Sequence, residues 1–339
     1  MNEFALRLLA WFDLHGRKDL PWQQAISPYR VWVSEIMLQQ TQVKTVIPYF
    51  ENFMARFPAI HDLAAASQDE VLHHWTGLGY YARARNLHKT AKIIVAEHEG
   101  EMPLTVEALV SLPGIGRSTA GAIVSICSGR RAAILDGNVK RVLARHFAIE
   151  GWPGSTAAAK SLWAKAEELT PVERVADYTQ AIMDLGATVC TRATPACEQC
   201  PMHRTCIALA TNRIAELPGR KPKKDLPVRQ TTMLIIESGN SVLLEQRPPA
   251  GLWGGLWSFP EADDPEAYLQ AHNLSASCIE SIPSFRHTFT HFHLDIDVFR
   301  IVTMGHENAV REAGRFCWYD RADPPALGLT RPVTRLPAE

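Results

Sequence analysis

The stretch LPGIGRSTAGAI, residues 112–123, separates two helical runs. Val106, Leu109 and Val110 carry the first; Thr119, Ile123, Val124 and Ile126 carry the second. Gly114 and Gly116 remove side chains where the backbone must turn and let a ligand approach closely. The second helix then offers its first free N–H groups, which suit a phosphate. A lone G-x-G favours an ordinary helix–helix corner. The length of this string, with Arg117 and Ser118 beside the turn, favours a helix-hairpin-helix over residues 105–127 that grips a nucleic-acid backbone.

Outward from the hairpin, residues 4–210 read as helix after helix, with apolar residues three and four apart and Pro or Gly at the breaks. The segment 218–229, PGRKPKKDLPVR, has three prolines and no apolar periodicity, and reads as a linker. Strands follow at 231–237 and 241–247, with a long one at 285–302 and a helix around 265–273. In the long strand Phe292, Leu294, Ile296 and Val298 alternate with His291, His293, Asp295 and Asp297, the pattern of a half-buried strand. The expected architecture is multidomain: an all-α domain over 1–217, a basic linker over 218–230 and an α+β domain over 231–339.

The 339 residues are 46% hydrophobic and 21% charged, which excludes general disorder, a collagen-like fibre and a small disulfide scaffold. No run approaches the roughly 18 apolar residues of a membrane span. The amino terminus lacks the order of a signal peptide, so a cytoplasmic protein is expected. The net charge of −1 conceals a partition. Residues 1–189 carry 19 basic and 19 acidic side chains, 190–229 carry 8 and 3, and 231–339 carry 8 and 14. The basic belt reads either as a solvated linker or as a phosphate-tracking surface.

Of seven cysteines, four stand within seventeen residues as C-x6-C-x2-C-x5-C: Cys190, Cys197, Cys200 and Cys206. In a reducing compartment such a group is a metal ligand set rather than a pair of disulfides. A tetrathiolate suits zinc or a [4Fe–4S] cluster. One short loop, without two separated knuckles, favours iron–sulfur, though spacing alone leaves both open.

Two carboxylates stand out. Ser27 and Pro28 start a helix on which Glu35 shares a face with Val31, Trp32 and Leu38. A carboxylate on an apolar face is desolvated and its pKa rises, so that it holds a proton to donate. If the face is exposed, Glu35 merely solvates it. Asp136 precedes a helix carried by Val139, Val142, Leu143 and Phe147; either Asn138 caps that helix or Asp136 does. In both cases Asp136 lies at a helix amino terminus, which favours its ionised form. One protonated and one ionised carboxyl divide labour as in glycoside cleavage.

Together these strings resemble, over nearly the whole chain, the A/G-mismatch-specific adenine DNA glycosylases of the MutY type. The resemblance rests on VWVSEIMLQQTQV at 31–43, WTGLGYYARARNLHK at 75–89, LPGIGRSTAGAI at 112–123 and ILDGNVKRVLAR at 134–145. It continues through MDLGATVCTR at 183–192 with the cysteine loop, and through RPPAGLWGGLWSFP and FRHTFTHFHLDI in the tail. It implies a helix-hairpin-helix glycosylase with one [4Fe–4S] cluster on the four cysteines and a Nudix-like tail domain that recognises 8-oxoguanine. By motif matching, Glu35 falls on the proton donor and Asp136 on the carboxylate that stabilises the transition state. Gln40, Thr41 and Tyr80 fall on strand-wedge and opposite-base positions, and Trp22 and Gln180 on the adenine pocket. Phe289, Thr290 and His291 fall on the loop that contacts 8-oxoguanine; many members have Ser where Thr290 stands, and a hydroxyl remains. The implied partner is double-stranded DNA with adenine opposite 8-oxoguanine or guanine, bound by a monomer.

Two other readings carry weight. An endonuclease III-type glycosylase/lyase shares the hairpin but has a Schiff-base Lys where Ser118 stands, so little strand cleavage is expected, although Lys140 offers an amine. A Nudix pyrophosphatase needs an acidic metal set after Gly251–Gly255. Glu261, Asp263, Asp264 and Glu266 are out of that pattern, so the tail is expected to bind but not hydrolyse.

Overall fold

The structure, a computed structural model, describes residues 1–222, 225–303 and 315–335. Lys223 and Lys224 of the expected linker lie outside the described residues. The chain divides into two compact units: Met1–Ala65 with Asn86–Lys223, and Ala66–Arg85 with Lys224–Glu339. Among the described residues, no helix is long and apolar enough to cross a membrane.

The first unit is helical because its caps and apolar spacing agree. The Asn2 side chain accepts from Ala5 N and starts the helix Glu3–His15, which buries Phe4, Leu8, Leu9, Trp11 and Phe12. Those residues pack against Val139, Leu143, Leu162, Ile182 and Leu185 in one core. At about 1.5–3 kcal/mol for each fully buried large apolar side chain, this core positions everything around it. The expected hairpin is present. Thr105 caps the helix Val106–Val110, and the helix Arg117–Ser128 follows the turn. Gly114 has φ +79° and lies so close to Asn86 that a Cβ would sit 2.8 Å from the Asn86 Cβ, so both conformation and space require glycine. Gly116 has neither constraint: its φ is −87°, and a Cβ there would meet nothing within 4 Å.

The second unit is a six-stranded mixed sheet with a helical segment packed on it. Its strands are β1 (Val228–Ser238), β2 (Ser241–Gln246), β3 (Trp257–Ser258), β4 (Ala276–Thr288), β5 (His293–Thr303) and β6 (Phe316–Asp320). The order is β3-β2-β1-β5-β4, with β6 on β2. β1 and β5 run parallel, from Val228 opposite His293 to Glu237 opposite Val302. The alternation in β5 holds, since Phe292, Leu294, Ile296 and Val298 are all buried. The single strand expected over 285–302 is instead two antiparallel strands joined at 289–292, where Phe289 N donates to Phe292 O. No Gly, Pro or Asn marks that turn, and the alternation runs on through it.

Residues 66–85 group with the tail for reasons found in side chains far apart in sequence. Asp69 accepts hydrogen bonds from Gln246 Nε2 and Trp257 Nε1. Arg85 donates to Gly254 O, and the Tyr81 hydroxyl to Leu329 O. A Cβ on Gly328 would lie 2.4 Å from the Leu72 Cβ, which shows how closely the two backbones approach.

Candidate active site and DNA-binding surfaces

Glu35 belongs to the helix Pro28–Leu38, which starts as expected with Pro28 at the first turn and the Ser27 hydroxyl accepting from Arg30 N. The helix buries Val31, Trp32, Val33, Ser34, Ile36 and Met37. Glu35 alone among residues 31–37 keeps partial access to solvent, through a cavity of about 780 Å³. Protein encloses the carboxyl on its other sides, and burial, with the charge of Asp136 second, pushes its pKa up to about 8.

Asp136 lines the same cavity. Of the two capping schemes, the structure selects Asp136: its Oδ1 accepts from Val139 N at 2.8 Å and caps the helix Gly137–His146. Asn138 is used differently, accepting from Arg141 Nη2 at 2.7 Å. Burial raises the Asp136 pKa, against the expectation that the helix terminus would lower it. The N–H groups of Val139 and Asn138, with Arg141 and Lys140, oppose that rise. Asp136 therefore has partners for its ionised form, whereas the groups acting on Glu35 all favour the proton. The Ser118 hydroxyl accepts from Leu135 N at 2.9 Å, fixing the residue before Asp136 to the hairpin helix.

The other residues expected at the site come from separate segments. Trp22 is buried edge-on against Phe50, their centroids 5.5 Å apart. Gln180 and Trp22 also line a second cavity of about 270 Å³ that shares Glu35. Gln40 and Thr41 border the larger cavity; Gln40 is exposed with φ +59°. Tyr80, in the other unit, is 44% exposed with φ +50°, and Arg83 lies over its ring. Positive φ at exposed, non-glycine residues is a strain that surrounding structure must hold in place.

Arg117 has partners within the chain. Its guanidinium pairs with Glu167 and lies 4.0 Å over the Trp163 ring. The helix Arg117–Ser128 has Gly116 at its cap and no side-chain capping bond, so its amino-terminal N–H groups lack a capping side chain.

All four loop cysteines line one small cavity with Val189, Leu209 and Ile214. Burial pushes the Cys200 thiol up to about 11 and raises Cys197 and Cys206. Four thiols around an apolar cavity fit a tetrathiolate ligand set in kind. Among the described residues, however, no group of three or more His, Cys, Asp and Glu is arranged to hold a metal ion.

The helix capped by Asp136 also holds this loop, through two arginines that sequence reasoning missed. Arg141 donates to Cys190 O and Gly186 O; Arg145 donates to Thr191 O, Arg192 O and Leu217 O, and to Cys190 Sγ at 3.4 Å. Their signal was two arginines four apart on an amphipathic helix that also carries Asn138 and Lys140. Arg17 and Asp184 were missed as well. Arg17 lines both cavities, and the buried Asp184 holds it at 2.6 Å.

In the second unit, Phe289 is half-buried against Trp253, His287 and Phe292, while Thr290 and His291 are exposed at the β4–β5 turn. The tail acids are engaged structurally: Asp264 caps the helix Pro265–Ala271, Glu261 pairs with Arg247, and Asp295 with Arg286.

Helix-hairpin-helix, a carboxyl pair on one cavity and a four-cysteine loop define a class of DNA base-excision enzyme. Residues 33–168 match the HhH-GPD superfamily of base excision DNA repair proteins, and residues 231–339 match a NUDIX domain. The chain is 38% identical to the adenine DNA glycosylase of Buchnera aphidicola, covering 98% of this chain and 95% of that one. It is 36% identical to the human adenine DNA glycosylase, over 90% of this chain and 68% of that one. Among solved structures, a thermostable thymine-DNA glycosylase superposes with a TM-score of 0.56 at 28% identity, covering 61% of this chain and 95% of that one. An endonuclease III–DNA complex shares the fold, with a TM-score of 0.52 at 22% identity over 62% of this chain and 94% of that one. The chain belongs to the adenine DNA glycosylases. It is a hydrolase of N-glycosyl bonds that removes adenine in base excision repair and binds DNA.

Proposed function

We propose that the enzyme removes adenine mispaired with 8-oxoguanine or guanine, with Glu35 as proton donor and Asp136 as stabiliser of the transition state. The observation that carries this reading is a carboxyl raised to about 8 that shares one cavity with a second carboxyl tied to backbone N–H groups. Adenine leaves readily only when a ring nitrogen is protonated. Glu35 supplies that proton, a contribution typically worth ~10²–10⁴ in rate. Departure of the base leaves an oxocarbenium-like sugar. A carboxylate ~4 Å away, at an effective dielectric of ~20, lowers its energy by about 4 kcal/mol. Asp136 does this as an ion partner or by covalent capture before water arrives.

The adenine must leave the stack to reach this cavity. Gln40, Thr41 and Tyr80 wedge the strand and face the opposite base, and Trp22 and Gln180 hold the extruded adenine. Gly114, Gly116, Arg117 and Ser118 bring the hairpin helix to a phosphate. Phe289, Thr290 and His291 read 8-oxoguanine. In this division of labour residues 1–65 and 86–217 carry the chemistry, 218–227 form the basic linker, since 228–230 already belong to β1, and the domain from β1 onward is the reader. The enzyme acts as a cytoplasmic monomer.

Cys190, Cys197, Cys200 and Cys206 hold one [4Fe–4S] cluster; the reading is supported by their facing one cavity. When bound, the cluster supplies a cross-link that stiffens the basic loop.

The test is strand cleavage of duplexes with adenine opposite 8-oxoguanine or guanine, with and without hot alkali. Cleavage only after alkali is expected, because Ser118 supplies no amine. Equal cleavage without alkali would replace this reading with a glycosylase/lyase.

A further inference from the structure

Asp184 is fully buried, and its carboxylate receives four hydrogen bonds. Oδ2 accepts from Arg17 N at 2.8 Å. Oδ1 accepts from Arg17 Nε at 3.0 Å, Arg17 Nη2 at 2.6 Å and Gln180 Nε2 at 2.8 Å. Arg17 grips the carboxylate from backbone and side chain together, so it cannot turn away. Gln180 and Arg17 both line the two cavities beside Glu35, and Asp184 lies behind them.

An amide side chain can present either its oxygen or its NH2 to a ligand, and this neighbour removes the choice. A carboxylate only accepts hydrogen bonds. Turning the Gln180 amide over would set its oxygen against Asp184 Oδ1 and leave a buried acceptor pair unsatisfied, which is costly. One Nε2 hydrogen is thus committed to Asp184, which fixes the amide's orientation and leaves Oε1 as its acceptor for the cavity. Adenine carries an amino group at C6, a donor; hypoxanthine has the same ring system with an oxygen there, an acceptor.

We propose that Asp184 is the positioning residue that sets base specificity: it locks Gln180 so that Oε1 accepts from the adenine amino group and opposes a 6-oxo purine. The proposal rests on the reading that the cavity beside Glu35 receives the base.

The experiment compares single-turnover removal of adenine and of hypoxanthine opposite the same 8-oxoguanine, at fixed salt, in the full-length protein. Asp184→Asn offers Gln180 Oε1 a donor and frees the amide to turn. Its adenine-to-hypoxanthine ratio should fall by roughly three- to tenfold, the range of one hydrogen bond. A purely structural role would slow both substrates equally and leave the ratio unchanged. Gln180→Leu keeps the Asp184–Arg17 pair and should lower the ratio similarly. If neither variant changes the ratio, the base does not sit against Gln180 and the pocket reading falls. If only Gln180→Leu changes it, the pocket stands and the role of Asp184 is refuted. Should Asp184→Asn fail to fold, Gln180→Glu decides. Its protonated carboxyl, held by Asp184, donates there and leaves the other oxygen to accept, so the ratio should hold as pH falls; a ratio that drops as this carboxyl gains its proton, the O–H being free to turn to the 6-oxo group, overturns the proposal.

Discussion

The charge of Asp136 acts on Glu35 and, after burial, is the second cause that lifts the Glu35 carboxyl to about 8. Base removal needs the protonated acid, so the single-turnover rate should decline as pH rises through about 8. It should also decline on the acid side, where Asp136 gains a proton. Asp136→Asn removes the negative neighbour, and the Glu35 carboxyl, followed by carbon-13 NMR, should then titrate at lower pH. The same variant should lose on the order of a thousandfold in rate, the equivalent of about 4 kcal/mol. A Glu35 titration that ignores Asp136→Asn would show that the two carboxyls are not coupled.

Glu35→Gln should abolish base removal and leave duplex binding nearly intact, because the amide keeps the shape and loses the proton. It also carries a stability signature. A folded-state pKa raised from 4.5 to about 8 gives stability that is fully present below 4.5 and lost as pH rises through 8. The amide does not titrate. The melting temperature of Glu35→Gln should therefore gain on the parent between pH 4.5 and 8, and the difference should level above that. The upper limit is about 1.4 kcal/mol per pH unit. A constant difference across this range would place Glu35 in an environment as wet as free water.

Arg117 already has a partner, and DNA must compete with it. Releasing Arg117 from Glu167 should therefore strengthen binding. Glu167→Gln is expected to tighten duplex affinity at low salt, while Arg117→Ala should weaken it and reduce the salt slope by roughly 1. Titrations by fluorescence anisotropy at several salt concentrations measure both. Equal slopes for parent and Arg117→Ala would mean that Arg117 only braces Trp163 and Glu167.

The cysteine loop should yield brown protein with about four irons and four sulfides per chain. Cys200→Ala should lose the visible absorbance and weaken DNA binding more than it slows the chemistry, since Glu35 and Asp136 are not in its loop. Colourless protein with stoichiometric zinc after anaerobic preparation would overturn the cluster assignment.

What could be read from the sequence was local. Ser27 with Pro28, the apolar spacing around Gly114 and the alternation in β5 are each signals within a dozen residues, and each appears in the structure. The Asp136 cap was legible only as one of two options, because Asn138 offers the same chemistry two residues later. The turn at 289–292 was hidden because Phe-Thr-His-Phe continues the alternation on both sides. Contacts across long separations left no local trace. Asp69 meets Trp257 from 188 residues away, and Arg17 meets Asp184 from 167. Each depends on a fold that must exist before the two side chains can meet.

The grouping of residues 66–85 with the tail changes how lesion reading is best tested. A fragment ending at 217 would strip Asp69 and Leu72 of their partners, so its losses would mix folding with recognition. Point changes in the full chain avoid this. Thr290 is exposed and bonded only weakly, its hydroxyl 3.4 Å from His291 Nδ1, so Thr290→Ala should leave the melting temperature unchanged. Phe289 packs on Trp253 and Phe292, and Phe289→Ala should lower it. A contact to 8-oxoguanine matters only where that base is present. Thr290→Ala should therefore reduce the rate or affinity with adenine opposite 8-oxoguanine severalfold, the range of a hydrogen bond worth roughly 0.5–1.5 kcal/mol, while adenine opposite guanine is unaffected. Binding and single-turnover rates on both duplexes, at one salt concentration, decide the matter. Equal losses on the two duplexes would make the β4–β5 turn a general clamp on DNA, and an unchanged ratio in both variants would move lesion reading elsewhere in the chain.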